Sequence, residues 1–291
     1  YGDWSIYSGQ NQFSPSMIDG SSITHLNFAF MDVDDDGNLI LCDYDADFCN
    51  TSRVDQVGNK GVMEGSPAAG VITGMAILRQ KYPNMRIGIS VGGWTRSGSF
   101  PRIGESDEAI ENFASKITEF VHNTGFDFVD IDWEYPTADR DPDPDGNGVN
   151  TDKGCKGSEV DTVNFTKLMR ALRKHLDAQS IADGKYYELS CAMSASPALM
   201  DKVEYKEVIQ IVDFANMMTY DLNGAWNNYT GHQTPLYVNE DAWNETNSET
   251  MADGIYSIDT CIRKLIDMGL TDEELTKVVV GVAGYTRGWG K

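Results

Sequence analysis

The run Gly125-Phe126-Asp127-Phe128-Val129-Asp130-Ile131-Asp132-Trp133-Glu134-Tyr135-Pro136 places four acids at Asp127, Asp130, Asp132 and Glu134. In a β-strand, alternate side chains share a face. Asp130, Asp132 and Glu134 then project one way, and Val129, Ile131 and Trp133 the other. Asp127 has the opposite parity to the three acids and reads as structural. Like charges at this spacing repel, so at least one carboxyl must keep its proton. A protonated carboxyl beside ionised ones is what general acid catalysis needs. The competing interpretation is a solvent-facing polar strand, as in many antiparallel sheets.

The elements around the run argue against that interpretation. Strands are expected near 1–6, 25–30, 86–91, 126–133, 187–194, 212–220 and 278–285. Between them lie helical patterns. Val71, Met75, Leu78 and Tyr82 share one face, as do Ile110, Phe113, Ala114, Ile117, Phe120 and Val121, with Gly125 as a C-terminal stop. Phe165, Leu168, Met169, Leu172 and Leu176 mark a third helix, Val203–Ile209 a short one, and Ile258, Cys261, Ile262, Leu265 and Ile266 another. This alternation, without a glycine-rich dinucleotide loop, predicts a parallel α/β fold, and a (β/α)8 barrel suits the count. Length alone also allows two domains of about 150 residues, but no linker or repeat divides the chain. Barrel strands are covered on both faces, so the three acids point inward and rise toward the C-terminal mouth. The polar stretches 42–68, 136–158 and 223–254 all follow strands and belong at that mouth. A barrel needs eight strands to close. Seven are counted, so 1–291 is expected to be a catalytic barrel incomplete at its C-terminal end. The eighth strand would then lie on a longer or separate chain.

Composition narrows the partners. With 23 Lys+Arg against 45 Asp+Glu the formal net charge is −22, which repels phosphate backbones and anionic bilayers. Nucleic acid and membrane are therefore not expected as partners. No apolar stretch reaches the ~18 residues of a membrane-spanning helix, and residues 1–4 do not read as a secretion signal. The 41% apolar content is enough for a large core. Of five cysteines, Cys191 and Cys261 lie in apolar periodic segments and read as buried thiols. Cys42, Cys49 and Cys155 lie in polar stretches, where a Cys42–Cys49 bridge can be drawn. No CxxC occurs and the four His are scattered, so zinc has no support. Two Asp-rich loops, from Asp141 to Asp152 and from Asp32 to Asp43, resemble calcium loops but lack the Glu at position twelve. Asp36-Gly37-Asn38 reads better as a hairpin turn, and 141–152 as a solvated acidic loop.

Asp127, Asp130, Asp132 and Glu134 match the DxxDxDxE signature, and here the sequence resembles glycoside hydrolase family 18, the chitinase family. Ser90-Val91-Gly92-Gly93 followed by Trp94 is similar to the SxGG strand end. Met218-Thr219-Tyr220-Asp221 is similar to the M-x-Y-D strand, and Gly281–Trp289 to the seventh strand. Gly231-His232-Gln233-Thr234 resembles bacterial chitinases of the chitinase A-like, insertion-bearing subgroup. The landmarks occur in the family's order from Trp4 to Trp289.

The resemblance implies a secreted or extracellular enzyme cleaving β-1,4-linked N-acetylglucosamine polymers, with no metal and no cofactor. It implies a retaining, substrate-assisted mechanism, the exception among two-carboxylate glycosidases. Glu134 would be the acid. Asp132 would hold the acetamido N–H, Asp130 would share a proton with Asp132, and Tyr220 would orient the acetamido carbonyl. Trp4, Phe28, Trp94, Tyr135, Met218, Asp221, Trp226 and Arg287 are the implied substrate-binding residues. Two other readings stay open at this point. One is an endo-β-N-acetylglucosaminidase acting on N-glycans, and the other is a non-catalytic chitin-binding lectin. The presence of Glu134, Asp132 and Tyr220 disfavours the lectin.

Overall fold

The computed structural model describes residues 1–43, 45–49, 70–143, 152–227, 230–238 and 256–290. Among them, six strands run parallel in one sheet: β1 (His25–Val33), β3 (Arg86–Gly92), β4 (Phe128–Asp132), β7 (Glu188–Ser194), β8 (Phe214–Met218) and β9 (Val278–Val280). A seventh, β2 (Leu39–Leu41), pairs antiparallel with β1. The order is β2-β1-β3-β4-β7-β8-β9, an arc of a (β/α)8 barrel.

Two expectations need correction. Residues 1–6 do not form a strand. The Ala29 N–H donates to the Tyr1 carbonyl (2.7 Å), and Gly2 makes a single parallel bridge to Ala29. Asp3–Ile6 is then a 3-10 helix. The Ser5 and Tyr7 N–H groups bond to the Gly2 and Trp4 carbonyls (3.0 and 3.1 Å) instead of to a neighbouring strand, and the Trp4 indole folds back over Gly2, where a Cβ would lie 2.5 Å from the ring. The last strand is also shorter than expected, ending at Val280 rather than 285. The hairpin reading of 36–38 fits: Asp34 Oδ1 accepts from the Asp36 and Asn38 N–H groups at 3.0 and 2.8 Å, and Gly37 takes φ +81°. Asp34 is thus spent on its own turn.

The principal helices cover the outer face. They are α1 (Gly70–Lys81), α2 (Phe100–Glu105), α3 (Asp107–Thr124), α4 (Asp161–Asp183), α5 (Pro197–Met200), α6 (Tyr205–Ile211), α7 (Ile258–Asp267) and α8 (Asp272–Leu275). Ser106 caps α3 by accepting from the Ala109 N–H (3.1 Å), and Gly125 ends it at φ +75°. Ile89, Val129, Ile131, Leu189 and Cys191 are fully buried between sheet and helices. Each such side chain contributes about 1.5–3 kcal/mol. Trp133 joins this layer as its parity predicts, stacked on Phe100 at 5.4 Å and edge-on to Phe165 at 5.9 Å. Cys191 and Cys261 are buried thiols as expected. Cys42 is a free thiol that accepts from Arg96 Nε (2.8 Å), so it does not form the bridge to Cys49, whose side chain lies outside the described residues.

Asp127 is structural, as expected. It accepts from Arg79 Nε (2.7 Å) and the Ile87 N–H (3.0 Å), with Lys185 Nζ at 3.1 Å. Burial alone would raise its pKa, but these partners hold it below the ordinary value. Asp127→Ala should lower stability by about 2–3 kcal/mol, less than for a fully buried pair because both cations are partly exposed. The depressed pKa means the stabilisation is complete above the ordinary carboxylate range and fades as pH falls through the folded value. Urea melts of variant and wild type should therefore differ most at neutral pH and converge in acid.

Candidate active site

The acids sit on the inward face of β4. Register pairs Asp130 with Ser90 on β3 and Ser190 on β7. Side chains of matched parity on neighbouring strands meet there. Ser90 Oγ donates to Asp130 Oδ2 (2.8 Å), while Ser190 Oγ (2.6 Å) and Asn216 Nδ2 (3.2 Å) donate to Oδ1. Burial raises the Asp130 pKa against the pull of these three neutral donors.

Asp132, one pleat nearer the mouth, has no such cradle. It is 8% exposed, and its Oδ1 is buried without a hydrogen-bond partner. Burial, then the negative charges of Glu134 and Asp130, push its pKa well up. Glu134 lies just beyond the strand end, half-buried. Burial raises its pKa too. The Tyr135 side chain, the Arg140 charge and the Trp94 backbone N–H favour its ionised form, while Asp221 opposes it. Column and mouth thus hold carboxyls that resist ionisation together.

The end of β3 makes the turn that brings Trp94 beside them. Gly92 and Gly93 take φ +108° and +90°, a region that disfavours side chains. A Cβ on Gly92 would overlap the Asp132 carbonyl. Ser97 ties the two strand ends together. Its Oγ donates to the Gly93 (2.9 Å) and Asp132 (3.2 Å) carbonyls and accepts from the Glu134 N–H (2.8 Å). Trp94 emerges 41% exposed, edge-on to Tyr135 at 6.4 Å.

On the other flank, β8 aims Asn216 and Met218 inward by parity, and Tyr220 follows. Burial, then Asp132 and Glu134, raise the Tyr220 pKa, which keeps its hydroxyl a donor. Asp221 adopts φ +54° and accepts from Tyr285 Oη (2.7 Å) and from Arg287 Nε (2.7 Å) and Nη2 (2.6 Å). Arg287 also lies 5.3 Å from the centroid of the exposed Trp226 ring. The 231–234 segment closes on this corner: the Leu222 N–H donates to the Gln233 carbonyl (2.9 Å), and Gln233 Nε2 to the Tyr285 carbonyl (2.5 Å). A depression of about 550 Å³ there is lined by His232, Gln233, Tyr237, Tyr285, Arg287 and Trp289 among others, and by none of the three acids.

A model of the glycosyl hydrolases family 18 matches residues 1–291. The chain belongs to that family. It is 32% identical to chitinase 1 of Aphanocladium album over 98% of this chain and 59% of the relative. It is 31% identical to chitinase A1 of Niallia circulans over 99% of this chain and 42% of the relative. The chain thus spans about half the length of these relatives. Among solved structures, chitinase ChiA74 from Bacillus thuringiensis is similar at a TM-score of 0.79 and 29% identity, covering 97% of this chain and 47% of that one. The catalytic domain of psychrophilic chitinase B from Arthrobacter TAD20 is similar at 0.80 and 26%, covering 99% and 71%. These likenesses carry the (β/α)8 fold of the family.

The structure brings Asp130, Asp132, Glu134, Tyr135, Met218 and Tyr220 to one mouth. It places Trp4 and Trp94 on its β1–β3 side and Asp221, Trp226 and Arg287 on its β8–β9 side. Phe28 is the exception. It is 1% exposed and packs on Tyr1 and Phe126 in the core, so it cannot meet a substrate. Phe28 pairs in regular register with the core residue Ile89, and the register shift that follows, between Ala29 and Met31, makes Phe30 the extra residue. Phe30, not Phe28, stacks with Trp4 at 6.1 Å. Ser190, Asn216 and Arg140 were missed. Asn216 carried a signal, as the one polar residue of inward parity in the apolar run Phe214–Met218, and Ser190 a weaker one as a polar residue of inward parity.

The described part of the 141–152 loop spends its carboxylates on protein. Asp141 pairs with Lys156 and Asp152 with Arg140. Residues 144–151 lie outside the described ones.

An NMR titration of the Glu134 carboxyl should show a midpoint above the ordinary carboxylate range. Asp221→Asn should bring it down, because the negative neighbour that opposes its ionisation is removed. A wild-type midpoint at or below the ordinary value would sink the assignment of Glu134 as the proton-holding group.

Proposed function

We propose that this chain hydrolyses β-1,4-linked N-acetylglucosamine polymers with retention, using the substrate's own acetamido group as nucleophile. The observation that carries the reading is the unequal state of the column. Asp130 has both oxygens occupied by neutral donors. Asp132 has a buried oxygen with none. Glu134 is held toward its protonated form beside the mouth. A carboxylate nucleophile would have to be Asp132, which resists ionisation. A buried acceptor without a donor instead suits an N–H brought in by the ligand.

The chemistry then balances without any further group. Glu134 gives its proton to the glycosidic oxygen as the C1–O bond breaks. The acetamido carbonyl oxygen bonds to C1, forming an oxazolinium, while Asp132 accepts the acetamido N–H. Tyr220 donates to the carbonyl and holds it in line, a proximity effect. Water then adds to C1 with loss of its proton to Glu134, and the ring opens. Asp130 steadies Asp132 as its charge changes.

The exposed indoles of Trp4, Trp94 and Trp226 support a long polymer rather than one branched glycan core. The relatives named above are chitinases, which supports the same substrate. Because that polymer is insoluble, an extracellular site of action goes with the reading. Among the described residues no helix is long and apolar enough to cross a membrane.

Glu134→Gln should reduce hydrolysis of N-acetylglucosamine oligomers by at least about 10²-fold while leaving binding intact. Turnover and calorimetry on the same samples check it. Product analysis on partly deacetylated polymer should find no deacetylated sugar at the new reducing end. Finding such ends would overturn the substrate-assisted step. Cleavage of a glycoprotein in preference to colloidal chitin would point to the N-glycan enzyme.

A further inference from the structure

Across the mouth from Tyr220, the short ribbon of β5 (Asp139–Arg140) and β6 (Cys155–Lys156) lies against the Trp94–Gly98 turn. Gly98 permits the approach, since a Cβ there would lie 2.8 Å from the Lys153 Cβ. Arg140 projects from this ribbon and is only 14% exposed. Its Nη1 and Nη2 both bond to Asp152, at 2.6 and 2.9 Å, and Asp152 is 4% exposed. Asp152 also accepts the Asp143 and Gly154 N–H groups, each at 2.8 Å. The guanidinium is therefore fixed in a planar fork. From there it does two things to Trp94. Nη2 donates to the Trp94 carbonyl (2.5 Å), and the guanidinium carbon stands 4.2 Å from the ring centroid. The indole edge is held independently, by Nε1 donating to Asp143 Oδ2 at 2.6 Å.

We infer that Arg140, locked by Asp152, is a positioning residue that holds the Trp94 indole as a fixed sugar platform. The inference rests on the hydrolase reading above. An indole on a turn is otherwise free to swing, and ordering it at each binding event costs affinity. Here the backbone, ring face and ring edge are each engaged before substrate arrives. The same guanidinium also favours the ionised form of Glu134, whose other neighbours in charge or hydrogen bonding are Asp132, Tyr135, Tyr220 and Asp221.

The test uses the full chain and three variants. Arg140→Gln should raise KM for a long N-acetylglucosamine oligomer about tenfold relative to a short aryl glycoside that does not reach Trp94. It should also move the alkaline limb of kcat/KM to higher pH, because losing the cation leaves Glu134 protonated longer. Arg140→Lys keeps the charge but not the fork. It should reproduce the KM effect without the alkaline shift. Asp152→Asn should resemble Arg140→Lys. Independently of turnover, the Trp94 indole N–H resonance, assigned with Trp94→Phe, should shift or broaden in Arg140→Gln. An unchanged resonance, or equal losses on long and short substrates, overturns the inference even if the variant is less stable. A wild-type chain that hydrolyses neither substrate would instead refute the hydrolase reading. The resonance would still decide whether the clamp exists.

Discussion

Everything at this mouth answers one constraint: three carboxyls lie on the same face of one strand, two residues apart, inside the protein. Taking a carboxylate out of water costs several kcal/mol, and each ionised neighbour adds to the cost. Among the described residues no cation pairs with Asp130 or Asp132. Asp130 receives two hydroxyls and an amide, and Asp132 receives nothing on one oxygen. Asp127, on the opposite face of the same run, receives Arg79 and Lys185 and has its pKa lowered. Identical side chains a few residues apart are driven in opposite directions. The difference is whether their neighbours are neutral dipoles or cations, as where two carboxyls divide acid and base roles.

That column governs the geometry of the strands beside it. Ser90 and Ser190 must be small and polar at the register positions facing Asp130, and Asn216 must reach it from one strand further. One pleat higher, β3 pairs with Asp132 so closely that a side chain at Gly92 would collide with the Asp132 carbonyl, to which the Gly93 N–H donates (2.7 Å). Gly92 and Gly93 make the exit from the sheet at positive φ, and Ser97 fastens it. The exit delivers Trp94 to the acid. The glycine at 92 is thus a consequence of the close approach of the Asp132 backbone.

The column was legible in the sequence because strand parity is strict. Once Val129, Ile131 and Trp133 were assigned to the helix layer, the acids could face only inward. The helices were legible for a similar reason, with α3 bounded by Ser106 and Gly125 where capping chemistry puts them. Parity failed where the backbone broke its own period. In β1 the register shift between Ala29 and Met31 leaves Phe30, not Phe28, against Trp4, and no residue type there announces a bulge. The expected strand at 1–6 failed because the chain closes on itself locally, the Ser5 and Tyr7 N–H groups bonding to the Gly2 and Trp4 carbonyls while the Trp4 indole covers Gly2. Arg140 was invisible because it lies in an acidic, turn-rich stretch, and its partners Trp94 and Asp152 are distant in sequence.

The placement of cations completes the logic. Two arginines at the mouth are committed to carboxylates: Arg140 to Asp152, and Arg287 to Asp221. Neither is left as an open charge for an anionic ligand. Each instead lies against an indole, Trp94 or Trp226, that stays at least 41% exposed. A cation over an aromatic face is held by the ring's electron density, which anchors the ring without using its exposed surface. The mouth therefore presents exposed rings, hydrogen-bonding groups and poised acids, but few uncompensated charges. That suits an uncharged, hydroxyl-rich chain with apolar C–H faces, and it does not suit a phosphate or an acidic polymer, which would meet the remaining carboxyls of a chain with net charge −22.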